Sequence, residues 1–149
     1  MCSSDLEQLI DQMKTILGTN FVLYFKAHSF HWNVEGPDFA QYHDFLGDFY
    51  DSVFDQTDTI AEKIRMLGAY APGSFIRYSE LSEIDDEVNV PVALQMLAKL
   101  KNDNDILIGL LRDGIDIADE ANEPAISNYL QDRLDAHQKH AWMLTSQIK

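Results

Sequence analysis

The feature that most constrains the fold is a Gly-Pro turn between two long helical patterns. Apolar residues recur every three or four positions over residues 4–33 and again over residues 38–67. This is the period of a helix with one buried face. The four residues between them include Gly36, which allows a tight turn, and Pro37, which suits the first turn of a new helix. Because the connection is so short, the two helices are expected to be antiparallel neighbours.

The second half of the chain has a similar pair of helices after a longer connection. Helical periodicity returns from about Val90 to Asp119 and from Glu123 to about Ile148. Residues 69–88 are long for a loop in a compact domain, and within them residues 75–81 are predicted to form a short helix. We therefore expect an all-α fold in one domain over residues 1–149. Its architecture is a ferritin-like four-helix bundle in up-down-down-up order, with a short extra helix in the crossover.

Composition narrows the classes of function. The chain has 149 residues, 46% of them hydrophobic, which is enough for one sizeable core. Its 25 acidic and 11 basic residues give a net charge of −14, which disfavours general binding to nucleic-acid phosphates. The single cysteine, Cys2, excludes an intrachain disulfide framework and a cysteine-based zinc site. No apolar run reaches the roughly 20 residues of a membrane span, and the N-terminus lacks a signal-peptide pattern. A cytoplasmic protein is expected.

Two pairs of metal-ligand residue types lie within the first two helices. His31 and His43 are symmetric about Pro37, so an antiparallel hairpin brings them together. Asp58 and Glu62 are four residues apart and share one helix face. However, the 15 residues from His43 to Asp58 span roughly 22 Å of helix. Since metal bonds to nitrogen and oxygen are about 2 Å long, one chain with a straight helix cannot place all four on one metal.

A second copy of the chain resolves this mismatch. If it packs antiparallel, its carboxylates face the histidines of the first copy, and a two-fold axis makes two such sites at once. Two imidazoles and two carboxylates suit iron or zinc. A ferritin-like di-iron site inside one bundle needs Glu-x-x-His, and no glutamate lies three residues before any of the five histidines. The alternative is that His31 is an ordinary helix-end histidine and that the carboxylates form a solvated face.

One constellation runs through these helices: KAHSFHWNVEG at residues 26–36, Phe39, His43, DTIAEKI at residues 58–64, and Leu67-Gly68. Its order and spacing strongly resemble the Dps family, the mini-ferritins that protect DNA during starvation and oxidative stress. The resemblance extends along the chain, since the crossover with Tyr78 is similar to the family's short helix and residues 141–144 to its closing aromatic segment.

The resemblance implies a hollow homo-dodecamer with ferroxidase sites across its dimer interfaces. Such a protein oxidises Fe(II), typically with hydrogen peroxide or else with O2, and stores the Fe(III) mineral in its cavity. By matching position, His31 and His43 are ligands from one subunit. Asp58 and Glu62 come from the other, with Glu62 able to bridge two irons. Trp32 matches the aromatic residue beside the site.

Two departures from the family pattern limit these expectations. Gly47 stands where the family commonly has an aspartate one turn after the second histidine, so the second iron of each site is expected to bind more weakly. The alternative is a non-catalytic cage whose ferroxidase site is impaired by Gly47. The chain also lacks a Lys-rich tail, since residues 1–7 contain no basic residue. We therefore expect no tight direct DNA binding, with any protection being chemical.

Iron also needs a path into the cage. The turn between the last two helices carries acidic residues that could line a channel where three subunits meet, or simply form a solvated turn. These candidates are Asp116, Asp119, Glu120 and Glu123, with Asp132 and Asp135 as further possibilities.

Overall fold

The computed structural model describes residues 3–149, so Cys2 and the expectation attached to it lie outside the described residues. All regular structure in residues 3–149 is helical, and none of these helices has a stretch long and apolar enough to cross a membrane. The helices are α1 (Ser3–Asn33), α2 (Phe39–Phe54), α3 (Thr57–Met66), α4 (Phe75–Leu81), α5 (Ala93–Glu120) and α6 (Pro124–Gln147).

Side-chain contacts between the long helices establish their order. In the first hairpin, His31 of α1 meets His43 of α2, while Asn20 reaches back to Val53. In the second, Asn104 of α5 pairs with His137 of α6. α1 also runs antiparallel to α5, since Gln12 bonds to Leu110 near one end and Lys26 bonds to Asp103 farther along. The predicted up-down-down-up bundle is thus confirmed.

The core lies between these helices and is built from the periodic apolar positions. Burying such side chains stabilises the fold by about 1.5–3 kcal/mol each. The most completely buried large residues are Phe30, Leu9, Met13, Ile16, Leu17, Leu23, Leu46, Ile60, Ile64, Met96, Leu97 and Leu100.

The crossover between the two hairpins is held against α1. A Cβ at Gly18 would lie 2.9 Å from the Cβ of Leu81, so the glycine lets α4 approach the helix closely. The hydroxyl of Thr19 then accepts a hydrogen bond of 3.0 Å from the backbone N–H of Glu83. Ile84 is buried just beyond it. The predicted short helix over residues 75–81 is therefore present, and it packs against α1.

The prediction of one continuous second helix over residues 38–67 is wrong. The structure has two helices, α2 and α3, with a break at residues 55–56. The cause is a side chain inserted into the hydrogen-bond ladder. The buried amide of Asn20 donates to the carbonyl of Val53 at 3.0 Å, and the N–H of Gln56 bonds to the same carbonyl at 3.3 Å. The backbone of Asp55 and Gln56 stays right-handed helical, so the chain does not reverse.

The third long helix also differs slightly from its predicted start near Val90. It begins at Ala93, after Val92, whose extended backbone has φ −68° and ψ 158°. Pro91 disfavours a helical conformation at the residue before it. The extended backbone of Val92 at the N-cap position then places the first helical residue beyond the proline.

One ion pair is buried between α1 and α5. The ammonium of Lys26 donates to the carboxylate of Asp103 at 2.8 Å, and the two side chains are only 6% and 9% exposed. Burial raises the pKa of Asp103, and the hydrogen bond and charge of Lys26 only partly offset this effect. Each charge therefore depends on the other.

We predict that Lys26→Met destabilises the protein by about 3–5 kcal/mol, because it leaves a buried carboxylate without its partner. The double variant Lys26→Met/Asp103→Leu should recover most of this loss. As a control, Lys101→Met removes the partly exposed pair with Asp105 and should cost at most about 1 kcal/mol. Denaturant unfolding measures all three, and equal losses for the two single variants would contradict the prediction.

Candidate metal centre

His31 and His43 are brought together by the Gly-Pro turn, as expected. Their rings stack with centroids 3.8 Å apart and an interplanar angle of 17°. The Nδ1 atom of His31 lies 2.7 Å from the backbone carbonyl of His43, and the Nδ1 atom of His43 lies 2.7 Å from the carbonyl of His31. Two reciprocal hydrogen bonds therefore join the end of α1 to the start of α2.

These bonds assign the tautomer of both rings. A carbonyl oxygen only accepts hydrogen bonds, so each Nδ1 carries the proton and donates it. In the neutral imidazole the other nitrogen, Nε2, then has a free lone pair, which is the form that binds a metal. A hydrogen bond from the second ring nitrogen to a carbonyl is the usual way in which proteins orient a histidine ligand. The pair is thus prepared to present two nitrogen ligands.

Gly47 packs directly against this pair, one turn beyond His43. A Cβ at Gly47 would lie 3.1 Å from Cε1 and 3.3 Å from Nδ1 of His31. That is a tight contact, and the His31 ring has little freedom to withdraw because its Nδ1 is hydrogen-bonded to the carbonyl of His43 and the ring stacks on that of His43. The glycine therefore makes room for His31, in addition to lacking a ligand.

Asp58 and Glu62 form a separate half-site on α3. Both are exposed, and within residues 3–149 neither carboxylate has a hydrogen-bond or ion-pair partner. Asp58 lines an open groove of about 540 Å³, together with Phe54, Ala61, Pro72 and Tyr78. No three histidine, cysteine, aspartate or glutamate side chains come close enough in residues 3–149 to hold a metal ion. The described chain therefore presents two incomplete halves.

Exposed aromatic residues border both halves. Trp32, which follows the first histidine, is 58% exposed. Phe25 and Phe39 lie close to the histidines in sequence, and Phe54 lies beside Asp58 in the groove. Phe39 and Phe54 had the helical spacing of a buried stripe, yet they face outward at 43% and 48% exposure. Such apolar exposure is typical of a surface covered by another protein.

The sequence reasoning missed an aromatic cluster beside the histidines. The phenol oxygen of Tyr24 lies within hydrogen-bond distance of Nδ1 of His28, at 2.8 Å. The His28 ring stacks on Tyr50 at 3.8 Å and contacts Trp32 at 4.3 Å. Burial, and secondarily the nearby His31, lowers the pKa of His28. The i,i+4 spacing of Tyr24 and His28 was the available signal.

The two histidines of α6 belong to the bundle interior. The buried His137 donates from Nδ1 to Asn104 and accepts at Nε2 from Arg133 at 3.2 Å, so neither nitrogen is free. Burial, and then Arg133, lowers the pKa of His137 well below its usual range and that of His140 to about 4. The Arg133 cation would also repel a metal ion. These residues stabilise the bundle and do not form a metal site.

The acidic turn between α5 and α6 lies at the surface. Asp119 and Glu123 line an open depression of about 410 Å³ with Asn122 and Pro124. The other candidates for a channel at this turn, Asp116 and Glu120, are exposed. Asp132 and Asp135 are exposed along α6.

Comparison with known proteins gives a consistent result. The protein-family model described as the ferritin-like domain matches residues 10–149. The DNA protection during starvation protein of Brevibacillus brevis is 32% identical over 143 residues, which cover 95% of each chain. Antigen TpF1 of Treponema pallidum is 32% identical over 142 residues, covering 95% of this chain and 80% of that protein.

Comparison with solved structures also indicates a ferritin-like fold. The Dps protein of Bacillus brevis has a TM-score of 0.95 at 29% identity, with full coverage of both chains. The crystal structure of TpF1 has the same TM-score at 31% identity, covering 99% of this chain and 96% of that one. The fold is therefore shared over the whole length of this chain.

We predict that Gly47→Ala gives no gain in stability. An alanine in a helix interior normally stabilises by about 1 kcal/mol relative to glycine, but here the new methyl group presses on the fixed ring of His31. Gly109→Ala in α5 is the matched control, because nothing lies within 4 Å of its Cβ position. It should gain close to the full amount. Thermal unfolding compares the two variants, and an equal gain for both would refute the role assigned to Gly47.

Proposed function

Because the chain belongs to the Dps family of mini-ferritins, within the ferritin-like superfamily, we propose that it oxidises Fe(II) at sites shared between two subunits. It then stores the Fe(III) product in a protein cage and so limits oxidative damage. The observation that carries this proposal is the pair of half-sites: two imidazoles with free Nε2 atoms and two unpaired carboxylates, which residues 3–149 of one chain do not bring together.

A two-fold dimer completes these half-sites. Antiparallel packing of the α2–α3 arms places Asp58 and Glu62 of one subunit opposite His31 and His43 of the other, and the same contact repeats on the other side of the axis. The groove beside Asp58 and the exposed aromatic rings provide the apolar surface for this contact. The proposed ligands of each site are therefore His31, His43, Asp58 and Glu62, with Trp32 beside them.

The reaction uses Fe(II) as substrate. The two carboxylates supply negative charge that attracts and stabilises the ion as it is oxidised, while the imidazoles supply nitrogen ligands that suit iron. With hydrogen peroxide, two Fe(II) ions give two electrons, and peroxide with two protons becomes two waters. This balance releases no hydroxyl radical.

Gly47 lowers the number of ligands available to a second iron. We propose two iron positions per site, of which the second binds more weakly. The competing function is a cage that binds or shelters without oxidising iron, because its site is impaired. That function predicts the same assembly but slow oxidation of iron, which is unchanged by His31→Ala or Asp58→Ala.

The cage is proposed to be a hollow dodecamer working in the cytoplasm. The acidic turn between α5 and α6 is a candidate iron entrance, because its exposed carboxylates attract cations. Asp119 and Glu123, which line the surface depression there, are its most favourable members.

A subunit-mixing experiment tests the shared site. One subunit carries His31→Ala/His43→Ala, and the other carries Asp58→Ala/Glu62→Ala. Each variant alone should lose rapid Fe(II) oxidation with peroxide. In mixed dimers, one of the two sites receives intact histidines from one chain and intact carboxylates from the other. Random mixing should therefore restore about a quarter of the sites.

The readout is the absorbance of Fe(III) after peroxide is added, on cages refolded or co-expressed together and sized by chromatography. Variants that assemble but regain no activity on mixing would exclude a shared site. Slow oxidation in the wild-type protein that is unchanged in both separate variants would favour the non-catalytic cage.

We also predict no tight direct DNA binding. Each subunit carries a net charge of −14, so an assembly repels the phosphate backbone. A mobility-shift assay with plasmid at moderate salt should show free DNA, whereas DNA incubated with Fe(II) and peroxide should be nicked less when the protein is present. A retarded band for the wild-type protein would overturn this prediction.

A further inference from the structure

The break between α2 and α3 is held by side chains from two other helices. On one side, the amide of Asn20 in α1, only 2% exposed, donates to the carbonyl of Val53 at 3.0 Å. On the other side, the hydroxyl of Tyr129 in α6 donates to Oε1 of Gln56 at 2.8 Å. The same Tyr129 ring has the ammonium of Lys63, from the second half of α3, 5.0 Å from its centroid. The junction is therefore fixed from both sides.

The break tightens the winding of the chain at this point. Asp55 and Gln56 have ψ values of −22° and −11°, and the N–H of Gln56 bonds to the carbonyl three residues before it rather than four. Each residue turns the chain by about 100° in an α-helix and by about 120° in such a tighter turn. Compared with a straight continuation of α2, two tightened residues therefore rotate α3 by roughly 40°.

This rotation is large on the scale of a metal site. Asp58 and Glu62 lie beyond the break, whereas His43 lies before it. The end of a side chain is about 5–6 Å from the helix axis, so a rotation of roughly 40° moves it by roughly 4 Å. Metal–ligand bonds are only about 2 Å long. The break therefore decides whether the carboxylates can reach an ion that is held by the histidines of a second copy.

The break also has a local cost. The hydroxyl of Thr57, the first residue of α3, is buried and has no hydrogen-bond partner within residues 3–149. Buried polar groups are normally satisfied, so an unsatisfied one calls for an explanation. A junction that is locally unfavourable and yet held by two other helices indicates that the direction of α3 matters for function.

We infer that Asn20 is a positioning residue for the shared iron site, with Tyr129 as its counterpart on α6. By keeping the arm broken at residues 55–56, the two side chains set the rotation at which Asp58 and Glu62 meet the histidines of the other subunit. Neither Asn20 nor Tyr129 is a proposed ligand. This inference rests on the proposed ferroxidase function and deepens it, because it names the contacts that give the half-site on α3 its direction.

Two matched variants isolate this role. Asn20→Leu removes the amide but keeps a side chain of similar size. The carbonyl of Val53 can then accept the regular bond from the N–H of Thr57, four residues on, so that α2 and α3 join into one helix. Asn104→Leu is the control. Its amide is also buried and donates at 2.8 Å to a carbonyl 33 residues away, that of His137, but it joins α5 to α6.

The experiment measures binding of Co(II), used as a spectroscopic probe, to the assembled protein. The visible absorption of bound Co(II) reports the number and arrangement of its ligands, and His31→Ala/His43→Ala identifies the part that comes from the shared site. We expect Asn20→Leu to assemble normally but to bind Co(II) there about tenfold more weakly or worse, with an altered spectrum. Asn104→Leu should lose stability yet keep the wild-type affinity and spectrum. Rapid Fe(II) oxidation with peroxide should follow the same order.

Tyr129→Phe tests the other side of the junction. It keeps the ring and removes only the hydrogen bond to Gln56, so we expect severalfold weaker Co(II) binding in a folded, assembled protein. If Asn20→Leu does not assemble, this variant decides the inference alone.

The outcomes separate the inference from the proposed function. Unchanged affinity and spectrum in assembled Asn20→Leu overturns the inference, as does unchanged binding in Tyr129→Phe when Asn20→Leu fails to assemble. An equal loss in Asn104→Leu also overturns it, because the effect is then general destabilisation. In each of these cases the ferroxidase function stands. If the wild type shows no Co(II) signal that depends on His31 and His43, the proposed function fails and this inference fails with it.

Discussion

The candidate site depends on two reciprocal hydrogen bonds in the first hairpin. His31 and His43 each donate one of them to the backbone carbonyl of the other. They fix the register of α1 against α2 at their joined ends, and they fix the tautomer that leaves Nε2 free. They also prevent a single chain from forming the complete site. With His31 and His43 held at that end, the rise of the helix puts Asp58 and Glu62 too far away to reach the same ion. Assembly is therefore a condition of the proposed chemistry.

This dependence links the stability of the assembly to function. The apolar rings around both half-sites are left exposed in a single chain, so in the proposed dimer their burial favours the contact that brings the ligands together. Any ion bound by both subunits stabilises the dimer in return, by mass action. The stability of the bundle core is not linked to assembly in this way. Its buried charges, Lys26 with Asp103 and Arg133 against neutral His137, are satisfied within one chain.

The sequence was sufficient to predict features that depend on neighbours along the chain. These include the helical stripes, the symmetry of the histidines about Pro37 and the common face of Asp58 and Glu62. It did not predict the break after Phe54, because the cause is Asn20, which lies 33 residues away from the carbonyl it binds. Lys26 and Asp103 are 77 residues apart. Such contacts require the packed structure, since no periodicity marks them.

The sequence identifies Gly47 only as a missing ligand, whereas the structure also shows which side chain it contacts. Adding an aspartate there would add a carboxylate, but its Cβ would first meet the imidazole of His31, which is stacked on His43. A carboxylate at this position would therefore require the ring of His31 to shift by a few tenths of an ångström.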